Sequence, residues 1–195
     1  MVTPQARGEE PSSEPPAVAR PPLTALLPTG GLRVLAIAAG LGAFAGSFAD
    51  FGLSTRAVIG AVFCPALVLL AAIDARHQLL PNTIVLPTTL AVAVILAAGD
   101  PSSFLRNFAA AAALGGFFFA FAAFFPGSLG MGDAKLGFLL GLALGSRTLA
   151  AVIFASAGLL VAAIYILAKR GASARKDVIP FGPFLAAGGI IAFFL

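Results

Sequence analysis

From residue 32 to its carboxyl terminus this chain is a succession of apolar runs of about membrane length, separated by short polar breaks. A run of 17 to 25 apolar residues is what a helix needs to cross a bilayer. Inside lipid every backbone N–H and C=O must find a partner within the protein, which leaves helices as the way to bury such segments. The runs lie near 32–50, 57–74, 83–98, 108–125, 133–146, 148–168 and 178–195. The breaks between them carry turn chemistry: Leu80-Pro81-Asn82, Gly99-Asp100-Pro101, Pro126-Gly127, Gly145-Ser146-Arg147 and the basic stretch Lys169 to Asp177. With 59% hydrophobic and 10% charged residues among 195, there is too little polar surface to clothe a soluble globule. The expected fold is therefore all-α, a polytopic transmembrane helix bundle of about seven spans.

Residues 1–28 differ from the rest. They hold seven of the fourteen prolines together with Glu9, Glu10 and Glu14, a composition that buries too little apolar surface to fold, and they are expected to form a disordered tail. Residues 29–56 read as the first transmembrane helix and 57–195 as a second, larger unit. Arg33 before Val34 to Ala49 imitates a signal peptide, but the apolar character continues beyond Asp50, which fits a retained helix better.

Alternating the spans places Arg7, Arg20, Arg33, Arg76, Lys135, Lys169, Arg170, Arg175 and Lys176 on one side and Arg56, Arg106 and Arg147 on the other. Lys and Arg accumulate on the cytoplasmic side, so the amino terminus and the loops near 75–82, 126–135 and 169–177 are expected in the cytosol. The net charge of +4 is spread among apolar runs without a basic, aromatic-interleaved patch, so no nucleic-acid partner is expected. The single cysteine, Cys64, excludes an internal disulfide and a cysteine-based zinc site.

Of eight acidic residues, three belong to the tail, and Asp50, Asp100 and Asp177 sit at loop edges. Two remain: Asp74 at the end of the second span and Asp133 at the start of the fifth. Only fourteen residues separate Asp133 from Arg147, about 21 Å of helix against a hydrocarbon core about 30 Å thick. If Arg147 reaches the far interface, Asp133 lies inside the membrane boundary, where a carboxylate is expensive and usually functional. Gly130 and Gly132 let the backbone turn into the helix and approach another segment closely. Two carboxyl groups at one depth can supply what an aspartyl protease uses, one ionised to activate water and one protonated to polarise the scissile carbonyl.

Three ordered blocks then carry a likeness to a known family. Asp74-Ala75-Arg76-His77-Gln78-Leu79-Leu80-Pro81-Asn82, Gly130-Met131-Gly132-Asp133-Ala134-Lys135-Leu136 and Ile179-Pro180-Phe181-Gly182-Pro183-Phe184 resemble the blocks of the type IV prepilin leader peptidases, membrane aspartyl proteases of the Gly-x-Gly-Asp kind. The resemblance covers about residues 57–195. It implies removal of a short basic leader from prepilins or pseudopilins at the cytosolic face of a bacterial inner membrane, with Asp74 and Asp133 catalytic. Longer members carry a Cys-x-x-Cys zinc module and N-methylate the product. This chain looks like the short form associated with Flp-type (Tad) pilus systems, with no metal and no cofactor expected.

Around the two aspartates, Gly130, Gly132, Lys135, Arg76, Asn82, Pro180, Gly182 and Pro183 are the expected substrate-binding or supporting residues. Several have bland alternatives. Asp133 and Asn82 could cap helices, Arg76 could be an interfacial partner of Asp74, and the Pro-rich block could be a kinked span. Two other classes stay open: a proton-coupled transporter, although the chain shows no internal repeat, and a non-catalytic membrane subunit of a pilus or secretion assembly. The expected partners are the prepilin and the lipid bilayer; the sequence is silent on oligomeric state.

Overall fold

Local sequence signals set where the helices begin and end in the computed structural model, which describes residues 22–125, 129–171 and 179–195. After a single turn, α1 (Leu23–Leu26), come α2 (Gly31–Phe51), α3 (Thr55–His77), α4 (Asn82–Gly99), α5 (Pro101–Phe124), α6 (Met131–Leu144), α7 (Thr148–Arg170) and α8 (Gly182–Phe194). Seven helices thus follow α1 among the described residues, as the run lengths lead one to expect, and none of the described residues is in a strand.

Some ends differ, for identifiable reasons. α3 starts at Thr55 because the Ser54 hydroxyl accepts from the Ala57 N–H at 3.2 Å. α5 starts seven residues earlier than the apolar run suggests, because the Asp100 carboxylate accepts from the Ser103 N–H and Pro101 suits the first turn. The final helix starts at Gly182 instead of 178. The expected breaks at Pro126-Gly127 and across 172–178, and the expected disorder of residues 1–21, fall outside the described residues. Within the remainder of that stretch, Leu26 of α1 is buried.

Between α6 and α7, residues Gly145–Arg147 form a 3-10 turn, with Gly145 at a φ of +55° that favours glycine. From Met131 to Arg170 the chain is helical and apolar for 40 residues, about twice a membrane thickness. The turn at Gly145 reverses it, so α6 and α7 pass separately. α2, α3, α4 and α5 are each long and apolar enough to span, whereas α6 and α8 have only 14 and 13 residues. The protein is a multi-pass membrane protein.

Helices consecutive in the chain run antiparallel, as do α3 and α8, whereas α6 runs parallel to α4 and α8. Along α2 and α3, Gly40 meets Pro65 and Ser47 meets Gly60; along α3 and α8, Leu67 meets Gly189 and Gly60 meets Phe193. The core lies around α3, α6 and α8, with Phe63, Leu67, Leu70, Leu136, Leu140 and Leu185 fully buried. Alternation gathers Arg76, Lys135, Lys169 and Arg170 at one end and Arg56, Arg106 and Arg147 at the other. At that second end the Arg56 guanidinium donates to the Phe193 carbonyl and lies 4.1 Å from the Phe51 ring centroid, a cation–π contact. Asn107 donates to the Leu142 carbonyl at 3.0 Å.

Candidate active site

Both short helices begin at the first end, and each begins beside one of the two aspartates. Asp74 stands in the last turn of α3 and is 6% exposed, a low figure for an ionisable side chain. Asp133 stands in the first turn of α6 and is partly exposed. The two side chains, 59 residues apart in sequence, are near enough for the charge of Asp74 to bear on Asp133. At about 20 Å each, α6 and α8 fall short of the hydrocarbon thickness; α8 starts beside Asp74, one turn inside the end of α3, and α6 starts level with Leu80 in the turn beyond α3.

Backbone donors hold both carboxylates. The Gly130 N–H donates to Asp133 Oδ2 at 3.2 Å, and the Asp133 N–H donates back to the Gly130 carbonyl at 3.0 Å. Asp133 therefore does act on the start of its own helix. The Gly182 N–H faces the Asp74 carboxylate, so Asp74 on α3 serves the amino terminus of α8. That arrangement requires glycine: a Cβ at 182 would strike Asp74 Oδ2 and lie 2.8 Å from its Cγ. Pro183 follows in the first turn of α8, where its missing N–H has no consequence. Pro180 precedes the helix, and between them the Phe181 ring packs edge-on against Phe118 at 6.0 Å.

On the other flank, Gly132 lets α6 press against the turn after α3. A Cβ there would come within 2.8 Å of Leu80 Cβ. The Lys135 ammonium donates to the Asn82 side-chain oxygen at 2.7 Å, tying the start of α4 to α6. Asn82 is thus the first residue of α4 and makes no side-chain cap. Beside this pair opens a cavity of about 650 Å³, lined by Leu79, Leu80, Asn82, Met131, Gly132 and Lys135 among others. Its size falls within the range of ligand pockets.

Arg76 is turned away from this group. Its guanidinium donates to the Thr29 hydroxyl at 2.9 Å and to the Thr29 carbonyl at 3.2 Å, linking α3 to the start of α2. The structure therefore gathers Asp74, Asp133, Gly130, Gly132, Lys135, Asn82, Gly182 and Pro183, and directs the Arg76 head group elsewhere. Leu80, Phe118 and Phe181 support the site without having stood out beforehand. Leu80 and Phe181 lie inside two of the three sequence blocks, while Phe118 in an all-aromatic run gives no signal. Among the described residues no group of three or more His, Cys, Asp or Glu side chains could hold a metal ion.

Comparison with known proteins points the same way. A family model described as the type IV leader peptidase family matches residues 61–167. The prepilin leader peptidase/N-methyltransferase of Bacillus subtilis (strain 168) is 34% identical over 154 residues, covering 77% of this chain and 60% of that protein. The protein of the same name from Burkholderia pseudomallei (strain 1026b) is 34% identical over 157 residues, covering 77% of this chain and 50% of that protein. The chain thus spans about half to three fifths of the length of these relatives. No solved structure matches it.

Proposed function

Because the chain belongs to the type IV leader peptidase family, we propose that it is a membrane aspartic endopeptidase that removes the short basic leader of prepilins or pseudopilins. Asp74 and Asp133 form the dyad. The observation that most supports this reading is that the two carboxylates, from helices far apart in sequence, come within electrostatic reach of each other at one end of the bundle.

The chemistry needs one carboxylate and one carboxylic acid. The ionised aspartate takes a proton from a water held between the pair, and the oxygen of that water bonds to the scissile carbonyl carbon. The protonated aspartate gives its proton to the carbonyl oxygen, so no oxyanion is left uncompensated. The resulting gem-diol collapses: one hydroxyl returns its proton to an aspartate, the C–N bond breaks, and the leaving nitrogen takes up the other proton. The dyad ends with the one proton it began with. The Gly130 and Gly182 N–H groups hold the two carboxylates in place through this exchange.

The cavity beside Gly132 and the Lys135–Asn82 pair is where we seat the extended peptide around the scissile bond. Gly130, Gly132, Pro180, Gly182 and Pro183 are assigned supporting roles through the backbone they set, and Arg76 an anchoring role at α2. The basic loops argue for an amino terminus and an active site on the cytosolic side of a bacterial inner membrane. Methyl transfer, which the relatives' names include, is left out of the proposal, as the short form resembled by the sequence lacks the zinc module.

Co-expression with a panel of prepilins, followed by gel analysis of leader loss, tests the assignment. Wild type is expected to shorten at least one of them, and Asp74→Asn and Asp133→Asn to shorten none at equal abundance. Cleavage by either amide variant removes the dyad. A wild type that cleaves no prepilin favours a transporter or a non-catalytic subunit instead.

A further inference from the structure

Away from the aspartates, a second cavity of about 480 Å³ opens along the outer face of the bundle between α2 and α3. Its walls are almost wholly apolar, among them Ile37, Leu41 and Phe44 of α2 and Pro65 and Leu69 of α3. It forms because α2 and α3 touch at Gly40 and Pro65, small and ring-shaped residues that leave the flanking surface hollow. Ile37, Leu41 and Phe44 are 52%, 64% and 47% exposed, so this side faces the bilayer.

Two features separate the groove from an ordinary seam between helices. The first is its length. From Arg33 to Phe44 it follows eleven residues of helix, about 16 Å, which is half of a hydrocarbon core about 30 Å thick. It therefore runs from one interface to the membrane midplane, the depth occupied by one acyl chain of one leaflet. The second is the charge at its mouth. Arg33 lines the interfacial end and is exposed, and its guanidinium makes no hydrogen bond or ion pair with any described residue. Arg76 is anchored close by on Thr29 through a hydroxyl and a carbonyl, both neutral, so its positive charge is not compensated there. The first turn of α2 adds the positive end of a helix dipole with no side-chain cap.

We propose that this groove binds one anionic phospholipid from the leaflet on the aspartate side, with its phosphate on Arg33 and one acyl chain laid along Ile37, Leu41 and Phe44. Charge complementarity selects the anionic head group, since a basic residue at a membrane surface attracts an anionic lipid by about 1 kcal/mol. The apolar groove selects a lipid over a free phosphate. Through Thr29 and Arg76, the bound lipid buttresses α2 against α3 two residues along the chain from Asp74.

Native mass spectrometry of the detergent-purified full chain tests this with phosphatidylglycerol and phosphatidylcholine of identical acyl chains, and with inorganic phosphate as a head-group control. Wild type is expected to keep one phosphatidylglycerol about fivefold better than phosphatidylcholine, without displacement by millimolar phosphate. Arg33→Gln, a change at an exposed position, should bring the two lipids to parity, and Arg33→Lys should keep most of the preference. Ala36→Phe, which fills the groove while leaving the arginine, should lose both lipids. Equal retention of the two lipids by wild type, an undiminished preference in Arg33→Gln, or displacement by inorganic phosphate would each overturn the proposal. Leader cleavage does not enter the readout, so the lipid site stands or falls apart from the peptidase assignment.

Discussion

At the end of the bundle that carries Arg56 and Arg147, polar side chains spend themselves on main chain. Arg56 donates to the Phe193 carbonyl, Asn107 to that of Leu142, and Thr148 to that of Gly145 at 2.7 Å. At the opposite end the two aspartates are partners to backbone N–H groups within electrostatic reach of each other, and Lys135 is bonded to an uncharged amide. The first arrangement closes the bundle, since a polar group inside a membrane protein that lacks a partner is costly; only the Asn107 side-chain oxygen, among the described residues, is buried without a partner. The second holds two carboxylates beside the starts of two helices. The contrast comes from where those helices begin: α6 and α8 both start at that end, bringing Gly130 to Asp133 and Gly182 to Asp74.

The contrast can be broken most severely at the carboxylates. Asp74→Asn and Asp133→Asn each keep the shape of the side chain and remove the charge, and each is expected to lower leader cleavage by on the order of 10³-fold or more. Combining them should add little, because the two act as a unit. A quantitative cleavage assay on purified protein, with thermal unfolding as a control for folding, checks both points.

Gly182→Ala comes next. It leaves the chemistry in place but pushes a methyl group into the Asp74 carboxylate, and misplacement on this scale costs about 10²-fold in turnover. The change should appear in kcat more than in KM, as the substrate cavity lies on the other flank. A loss confined to KM would count against Asp74 as the displaced group.

At the far end the sign of the comparison reverses. Asn107→Ala removes the hydrogen bond to Leu142 and should destabilise the fold by about 1 kcal/mol, read as a lower unfolding midpoint in detergent. Cleavage per folded molecule should stay unchanged, which sharpens the division between a closing end and a reacting end.

The smallest effect is expected at Asp100, in the loop between α4 and α5. The Ser102 hydroxyl, at 2.6 Å, and then Ser103 donate to its carboxylate and hold it below the usual carboxylate range. Because the folded state favours the ionised form, this contribution is present at neutral pH. It is lost as the pH falls below the ordinary carboxylate range and through the lowered value. Asp100→Asn should therefore lower stability slightly at neutral pH and flatten the acid limb of a stability-versus-pH curve, the two curves converging at low pH.

Much of the architecture was legible in one dimension. The apolar runs locate the helices, and the breaks at Gly99-Asp100-Pro101 and Gly145-Ser146-Arg147 fall where the chain turns. The ends were less legible: Ser54 and Asp100 extend α3 and α5 beyond their apolar runs, because caps act through hydrogen bonds that hydropathy does not weigh. The candidate site was partly readable. Asp74 and Asp133 stand out as the two carboxylates at the ends of apolar spans, but Arg76, adjacent in sequence to the site, points to Thr29, and Phe118, far from it in sequence, packs on Phe181.

What the sequence determined by itself is the set of spans and the two carboxylates at their ends, since burial in lipid is governed by the length and polarity of each segment taken alone. What only the tertiary structure decided is which groups meet there: Gly182 under Asp74, Leu80 against Gly132, Asn82 on Lys135. Those pairings depend on which faces of α3, α4, α6 and α8 turn toward one another. In a chain that is apolar on nearly every face, no periodicity marks that choice; close packing of small residues does.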